Sequence, residues 1–204
     1  MSKSGKKPFY KKVWVWVILI LIVAVIGTQK GKDKNNDTAA SNATDTTSSQ
    51  AGSKAEDQDS KINYDNFLSI KMGQNYNDLI NVLGEGKEES SSEISGIKTV
   101  IYAWSGKGLS SMNVTIQNGV VTGKAQSGLK KMDADITLDK YNKINNGMTY
   151  DQLKEVLGEG QILSQSKIMN TESTIYQYIN KDGSNANFTF NGDKLELKAQ
   201  FQLK

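Results

Sequence analysis

The sequence predicts an α+β fold made of two tandem repeats, each a helix-loop-helix followed by an antiparallel sheet, preceded by one N-terminal transmembrane helix and a disordered linker. Three observations predict it. An internal repeat holds one offset of 74 residues from Ile70 to Leu129. Within each copy the apolar period changes from that of a helix to that of a strand. Ahead of both copies stand a lysine-rich start, an apolar run and a long stretch without any large apolar residue.

Residues 1–12 carry Lys3, Lys6, Lys7, Lys11 and Lys12 and no acidic residue, and an unbroken apolar run over 13–26 follows. Basic residues ahead of an apolar segment hold that end in the cytoplasm and send the rest across the membrane. The uncharged stretch 13–29 spans roughly 25 Å at about 1.5 Å per residue, a little short of a hydrocarbon core of about 30 Å. Lys12 and Lys30 can snorkel, and Tyr10, Trp14 and Trp16 suit the interface. The expectation is a cytoplasmic segment over 1–12 and a signal anchor over 13–29, with the C-terminal region extracytoplasmic at the cell membrane. The alternative is a signal peptide cleaved near Gly27, which secretes the same region. Residues 31–60 contain no Ile, Leu, Val, Met, Phe, Tyr or Trp. Such a chain cannot bury enough apolar surface to offset its ordering entropy, so 30–60 is expected to be a disordered tether with an end-to-end distance of roughly 30 Å.

Composition narrows the chemistry. Formal charge is +3, and all 25 basic residues are Lys. Arg is the residue of bidentate phosphate and base-edge contacts, so its absence argues against nucleic acid as a partner. The chain has no Cys and no His. That excludes disulfides, thiolate nucleophiles, Cys/His zinc sites, Ser-His triads and histidine bases. No cofactor, no metal and no enzymatic activity are expected.

The repeat aligns Ile70, Gly73, Tyr76, Leu79, Val82, Leu83 and Gly84-Glu85-Gly86 with Ile144, Gly147, Tyr150, Leu153, Val156, Leu157 and Gly158-Glu159-Gly160. The same offset pairs Tyr102 with Tyr176, Trp104 with Tyr178, Thr115 with Thr189, and Lys124-Ala125-Gln126 with Lys198-Ala199-Gln200. Repeat 1 is placed at 61–131 and repeat 2 at 132–204. Each opens with a short helix (64–70; 138–145). A second helix follows, with an apolar stripe at Tyr76, Leu79, Val82 and Leu83. Thr149 with Gln152 makes a capping box, Asn75 is the weaker cap of the first copy, and Gly84 and Gly158 stop the helices. Alternation then marks strands around Val100 to Trp104 and Val114 to Ile116. Asn118-Gly119 and Asn191-Gly192 read as hairpin turns. In the closing strand, alternation places Leu195, Leu197, Ala199, Phe201 and Leu203 on one face. Segments near 87–92 and 161–166 add a first strand to each sheet.

A Gly-x-x-Tyr-x-x-apolar helix and a Leu-Gly stop, each given twice at this period, with a Tyr-x-Trp strand at Tyr102-x-Trp104 matched by Tyr176-x-Tyr178, resemble the β-lactamase-inhibitor-protein-like (BLIP-like) family. Gly147-Met148-Thr149 further resembles the helix start of small outer-membrane assembly lipoproteins. The resemblance covers about 64–204. It implies tandem helix-loop-helix plus four-stranded units whose paired sheets form a concave surface that grips a partner. It assigns no binding residue to a position in this chain.

Two strand faces are candidate surfaces. Tyr102, Trp104, Tyr176 and Tyr178 share one face, which is an aromatic patch or, as the alternation with Val114, Ile116, Phe188 and Phe190 favours, the core beneath the helices. Alternation gives the opposite face Thr115, Lys124, Gln126, Gln177, Thr189, Lys198 and Gln200, the candidate partner-binding residues. Glu85 and Glu159 occupy equivalent turns, where a catalytic pair lacks the desolvating pocket it needs. Gly106-Lys107-Gly108 reads as a hairpin tip. The functional reading is a membrane-tethered, extracytoplasmic binding module presenting a sheet surface to a protein or cell-envelope component, inhibitor-like in character. The alternatives are a structural or envelope-assembly protein and a wall-polymer hydrolase using Asp or Glu alone.

Overall fold

The computed structural model describes residues 61–204; the anchor and linker expected over 1–60 lie outside the described residues. Among the described residues no helix is long and apolar enough to cross a membrane.

The chain runs α1 (Tyr64–Ser69), α2 (Tyr76–Leu83), β1 (Lys87–Ile94), β2 (Ile97–Ser105), β3 (Ser111–Gln117) and β4 (Val120–Ser127). It then repeats the order as α3 (Leu138–Asn142), α4 (Tyr150–Leu157), β5 (Gln161–Ile168), β6 (Thr171–Ile179), β7 (Asn185–Asn191) and β8 (Lys194–Phe201). Caps fix the helix starts. The Asn63 side chain accepts from the Asn66 N–H and Thr137 from the Lys140 N–H. Thr149 and Gln152 form the full capping box of α4, whereas Asn75 makes no side-chain cap bond. Gly84 and Gly158 end α2 and α4 at φ 80° and 74°, a region where a Cβ is costly.

All eight strands form one sheet in the order β1 to β8, every neighbour antiparallel. The two copies meet edge to edge through Gly123 opposite Ser166, Lys124 opposite Gln165 and Ala125 opposite Ser164. Both backbone groups of Ile162 on β5 are held by side chains of the first copy. Its N–H donates to the Tyr64 hydroxyl at 2.7 Å, and its carbonyl accepts from Gln126 Nε2 at 3.1 Å. Joining there removes two of the strand edges that separate copies would expose.

Two core clusters fill the helix-covered face, one per copy. Phe67, Leu79, Leu83, Trp104 and Val114 belong to the first, and Ile144, Leu153, Tyr178, Phe188 and Phe190 to the second. Tyr102, Trp104, Tyr176 and Tyr178 thus lie on the core side. Trp104 Nε1 donates to the Gly84 carbonyl at 3.0 Å, and the Tyr178 hydroxyl donates to the equivalent Gly158 carbonyl at 2.8 Å. This explains the Gly-Glu-Gly motif. Its second glycine lies flat against that ring: a Cβ would come within 2.5 Å of Trp104 at Gly86 and 2.8 Å of Tyr178 at Gly160. Next to it, Tyr76 stacks on Tyr102 at 4.2 Å and Tyr150 on Tyr176 at 3.7 Å between centroids.

Three expectations need correction. First, the first helix of each copy stops at Ser69 and at Asn142, short of 70 and 145. A lysine ammonium arriving from the sheet takes their terminal carbonyls and substitutes for a further turn. Second, the second β3–β4-type hairpin turns at Gly192-Asp193, and Asn191 is the last residue of β7. Gly192 has φ 58° and Asp193 is not in the left-handed region, so a Gly at the first turn position suffices; the first copy needs positive φ at both Asn118 and Gly119. Third, β4 and β8 do not alternate strictly. Bulges leave Thr122 and Glu196 without a ladder partner, so Val121 and Lys124, and likewise Leu195 and Lys198, share a face. The run Leu195, Leu197, Ala199, Phe201 is split. Leu195 is in the core, while Leu197 and Phe201 are 62% and 56% exposed on the other face.

Candidate functional site

The bulges decide where the candidate partner-binding residues stand. Lys124 pairs with Val114 and Gln126 with Met112, both core residues, so both face the helices and are buried. Lys124 Nζ donates to the carbonyls of Phe67 at 2.8 Å and Ile70 at 2.7 Å and lies over the Phe67 ring. Lys198 repeats this on the carbonyls of Tyr141 at 3.0 Å and Ile144 at 2.6 Å. Each lysine is a C-cap delivered from the sheet, binding the partial negative charge of a helix end. Burial pulls the Lys124 amine down to about 8. Gln126 and Gln200 tie down the chain after the last strand: their Oε1 atoms accept from the Leu129 N–H at 3.2 Å and the Leu203 N–H at 3.1 Å. The repeated Lys-Ala-Gln is thus an architectural motif. These four residues are not on the opposite face, uncovered by any helix among the described residues, where strict alternation places them.

Thr115, Gln177 and Thr189 are on that face, each half-buried. It is defined by the ladder. One row crosses the molecule as Ala103, Asn113, Ala125, Ser164, Ile175, Thr189 and Leu197, each opposite the next. A parallel row runs Ile101, Thr115, Gly123, Ser166, Ser173 and Asn191. A third holds Gln161, Gln177 and Asn187, with Gln161 Nε2 donating to Gln177 Oε1 at 3.2 Å. From β2 to β7 not one residue facing away from the helices is charged, in a chain with 25 Lys and 22 Asp or Glu. Lys98, Lys167 and Glu172 on these strands all alternate to the other side. Charges return on the bordering strands, at Lys87 and Lys194. This absence of charge was not visible from the sequence, because the parity of β4, β5 and β8 depends on bulges that composition does not mark.

The other candidates hold no such pattern. Glu85 and Glu159 are exposed turn residues at equivalent ends of the two copies. Gly106-Lys107-Gly108 begins the β2–β3 loop, closed by the Gly106 N–H on the Ser110 carbonyl at 2.8 Å. Among the described residues no three His, Cys, Asp or Glu gather as a metal site. A shallow cavity of about 350 Å³ opens beside Tyr150, Tyr176 and Phe190. Its rim carboxylate Asp151 is paired with Lys154 at 2.9 Å.

Comparison with known proteins agrees with this architecture. A crystal structure from Streptococcus mutans, of a protein named as a candidate beta-lactamase inhibitor, superposes with a TM-score of 0.56 at 21% sequence identity, covering 68% of this chain and 94% of that one. At that identity the likeness speaks for the fold alone. No curated protein gives a match. The family model for beta-lactamase inhibitor (BLIP) matches residues 63–179, more than half of the chain. The chain belongs to the beta-lactamase inhibitor (BLIP) family.

Proposed function

We propose that this chain is a membrane-tethered, inhibitor-like protein-binding module, and that its uncovered sheet face is where the partner docks. The observation that carries the proposal is the uncharged centre of that face. Depletion of charge at the core of a patch with charge at its border is the compositional mark of a protein interface. An ordinary solvated strand carries Lys and Glu, as the fully exposed β1 does with Lys87 on this face and Glu88 and Glu93 on the other. Membership of an inhibitor family supports a protein as the partner. Placement outside the cytoplasm rests on the lysine-rich start, the apolar run and the polar linker of residues 1–60.

Binding kinetics of the full chain against a panel of purified extracytoplasmic hydrolases, β-lactamases included, test this reading. Saturable binding that Thr115→Lys/Thr189→Lys abolishes, with unchanged circular dichroism, is the expected result. A partner bound equally by wild type and that variant would remove the uncovered face from the proposal.

A further inference from the structure

The β4 edge is occupied by β5. Beside β8 no strand stands among the described residues; residues 146–148 bond its start at Leu195 and Glu196 and leave the edge from Leu197 on without a neighbouring strand. The two edges are built alike. Lys198, Ala199 and Gln200 on β8 stand where Lys124, Ala125 and Gln126 stand on β4. Both glutamines spend Oε1 on the turn that follows the strand. Gln126 spends Nε2 on the added strand, at the Ile162 carbonyl, whereas the Gln200 amide has no such acceptor among the described residues. Gln126 is buried under β5 and Gln200 is exposed. The edge of the second copy therefore keeps the glutamine half of the strand latch, with its donor unused, while Leu138 stands in the place of Tyr64.

On the uncovered face the edges differ at two positions. Gly123 and Ser127 of β4 are replaced by Leu197 and Phe201, which form an exposed apolar strip on β8 with Ala199 between them. We propose that β8 pairs antiparallel with β8 of a second copy about a two-fold axis through Ala199, making one continuous sheet. In that register Leu197 faces the partner's Phe201, Ala199 faces its own counterpart, and Phe201 faces the partner's Leu197. Both exposed apolar side chains are covered by one operation, as an isologous interface requires. On the other face Lys198 comes opposite the partner's Gln200, so no like charges meet within the five paired positions. A two-fold axis normal to the sheet turns both uncovered faces to the same side, which doubles the proposed docking surface.

The head-to-tail alternative, β8 on β1 of the next copy, copies the internal joint less well. At the position of Ile162 that edge offers Glu88, and it brings Glu196 near Glu93. The β1 edge is guarded by charge, as edges that avoid pairing are.

The chain has no Cys, so one introduced thiol reads the register directly. Opposed residues of an antiparallel pair lie about 4.5–5.5 Å apart at Cα, within disulfide reach. Full-length Ala199→Cys, oxidised mildly in its membrane, is expected to run largely as a disulfide-linked dimer. The same thiol at Ser90→Cys on β1 is expected to leave the chain monomeric. Leu197→Lys/Phe201→Lys added to Ala199→Cys is expected to abolish the dimer. The proposal is overturned if Ala199→Cys stays monomeric with normal circular dichroism, or if mixing the Ala199→Cys and Ser90→Cys chains gives the cross-linked species instead. The readout is cross-linking between copies, so its failure leaves partner docking on the uncovered face intact.

Discussion

Along β3, Met112, Val114 and Ile116 point to the helices while Asn113, Thr115 and Gln117 point away, and β7 repeats this with Ala186, Phe188 and Phe190 against Asn185, Asn187 and Thr189. The same strands thus carry two unlike surfaces. One packs aromatic rings under short helices and uses lysines, Lys124 buried and Lys198 half-buried, as caps. The other holds hydroxyls, amides and small side chains without charge. A strand residue therefore belongs to the folding problem or to the binding problem according to its parity, and the bulges at Thr122 and Glu196 reassign parity partway along β4 and β8. Substitutions on the two faces are expected to separate loss of stability from loss of binding.

The largest effect is expected at Trp104, which is 2% exposed and donates to the Gly84 carbonyl. Trp104→Ala should cost about 3–5 kcal/mol in urea unfolding, the range of large-to-small changes in cores. Gly86→Ala drives a Cβ to 2.5 Å from the same ring and should cost about 1–3 kcal/mol through overpacking.

Next come the two lysine caps, where the copies themselves can be compared. Lys124→Met removes the donor to two buried helix-end carbonyls and should cost about 1–3 kcal/mol for each carbonyl left without one. Lys198→Met should cost less, because Lys198 is only half-buried and water can replace its amine. Equal costs at the two sites, measured by urea midpoints, would contradict a role for the deeper burial of Lys124. Tyr64→Phe removes the hydroxyl that accepts from the Ile162 N–H, and should cost about 1 kcal/mol and weaken the cooperativity between the copies.

Smaller effects are expected from pH, with two windows of opposite sign. The Lys124 amine is pulled by burial to about 8 in the folded state, against about 10.4 unfolded. Between those values the unfolded chain binds more protons, so stability rises from about pH 8 toward pH 10. Tyr76 and Tyr150 are pushed up to about 12, first by burial and then, respectively, by the Tyr102 hydroxyl and the negative charges of neighbouring groups. Their contribution is complete below the ordinary tyrosine value of about 10 and is lost as pH rises from there toward 12. The urea midpoint followed from pH 7 to 11 should climb and then fall, and Lys124→Met should flatten the climb.

Much of this molecule was legible in its sequence. The offset of 74 marked the duplication, the glycine stops placed the ends of α2 and α4, and the capping box placed the start of α4; Asn75 holds the N-cap position of α2 without a side-chain bond. The aromatic face at Tyr102, Trp104, Tyr176 and Tyr178 was readable because it alternates with Val114 and Phe188 in register. What escaped was parity after a bulge. Lys124, Gln126, Lys198 and Gln200 look like a polar stripe when the strand is read with period two, and one unpaired residue ahead of each turns them inward. The carbonyls that receive the lysines belong to helix ends 57 and 54 residues away in sequence, so no local signal marks the pairing. The pairing of the two sheets followed from the family resemblance, whereas the small latch of Tyr64 and Gln126 on Ile162 had no mark in the sequence.

The central claim is that a protein partner docks on the uncharged face and not on the helix side. Site-specific photo-crosslinkers placed singly at Thr115 and Thr189 on that face, and at Leu68 and Asp139 on the exposed side of α1 and α3, test it most directly in the full chain. The account predicts one and the same protein adduct from Thr115 and Thr189 and none from Leu68 or Asp139. The same adduct from the two helix positions, with the sheet positions silent, would contradict it.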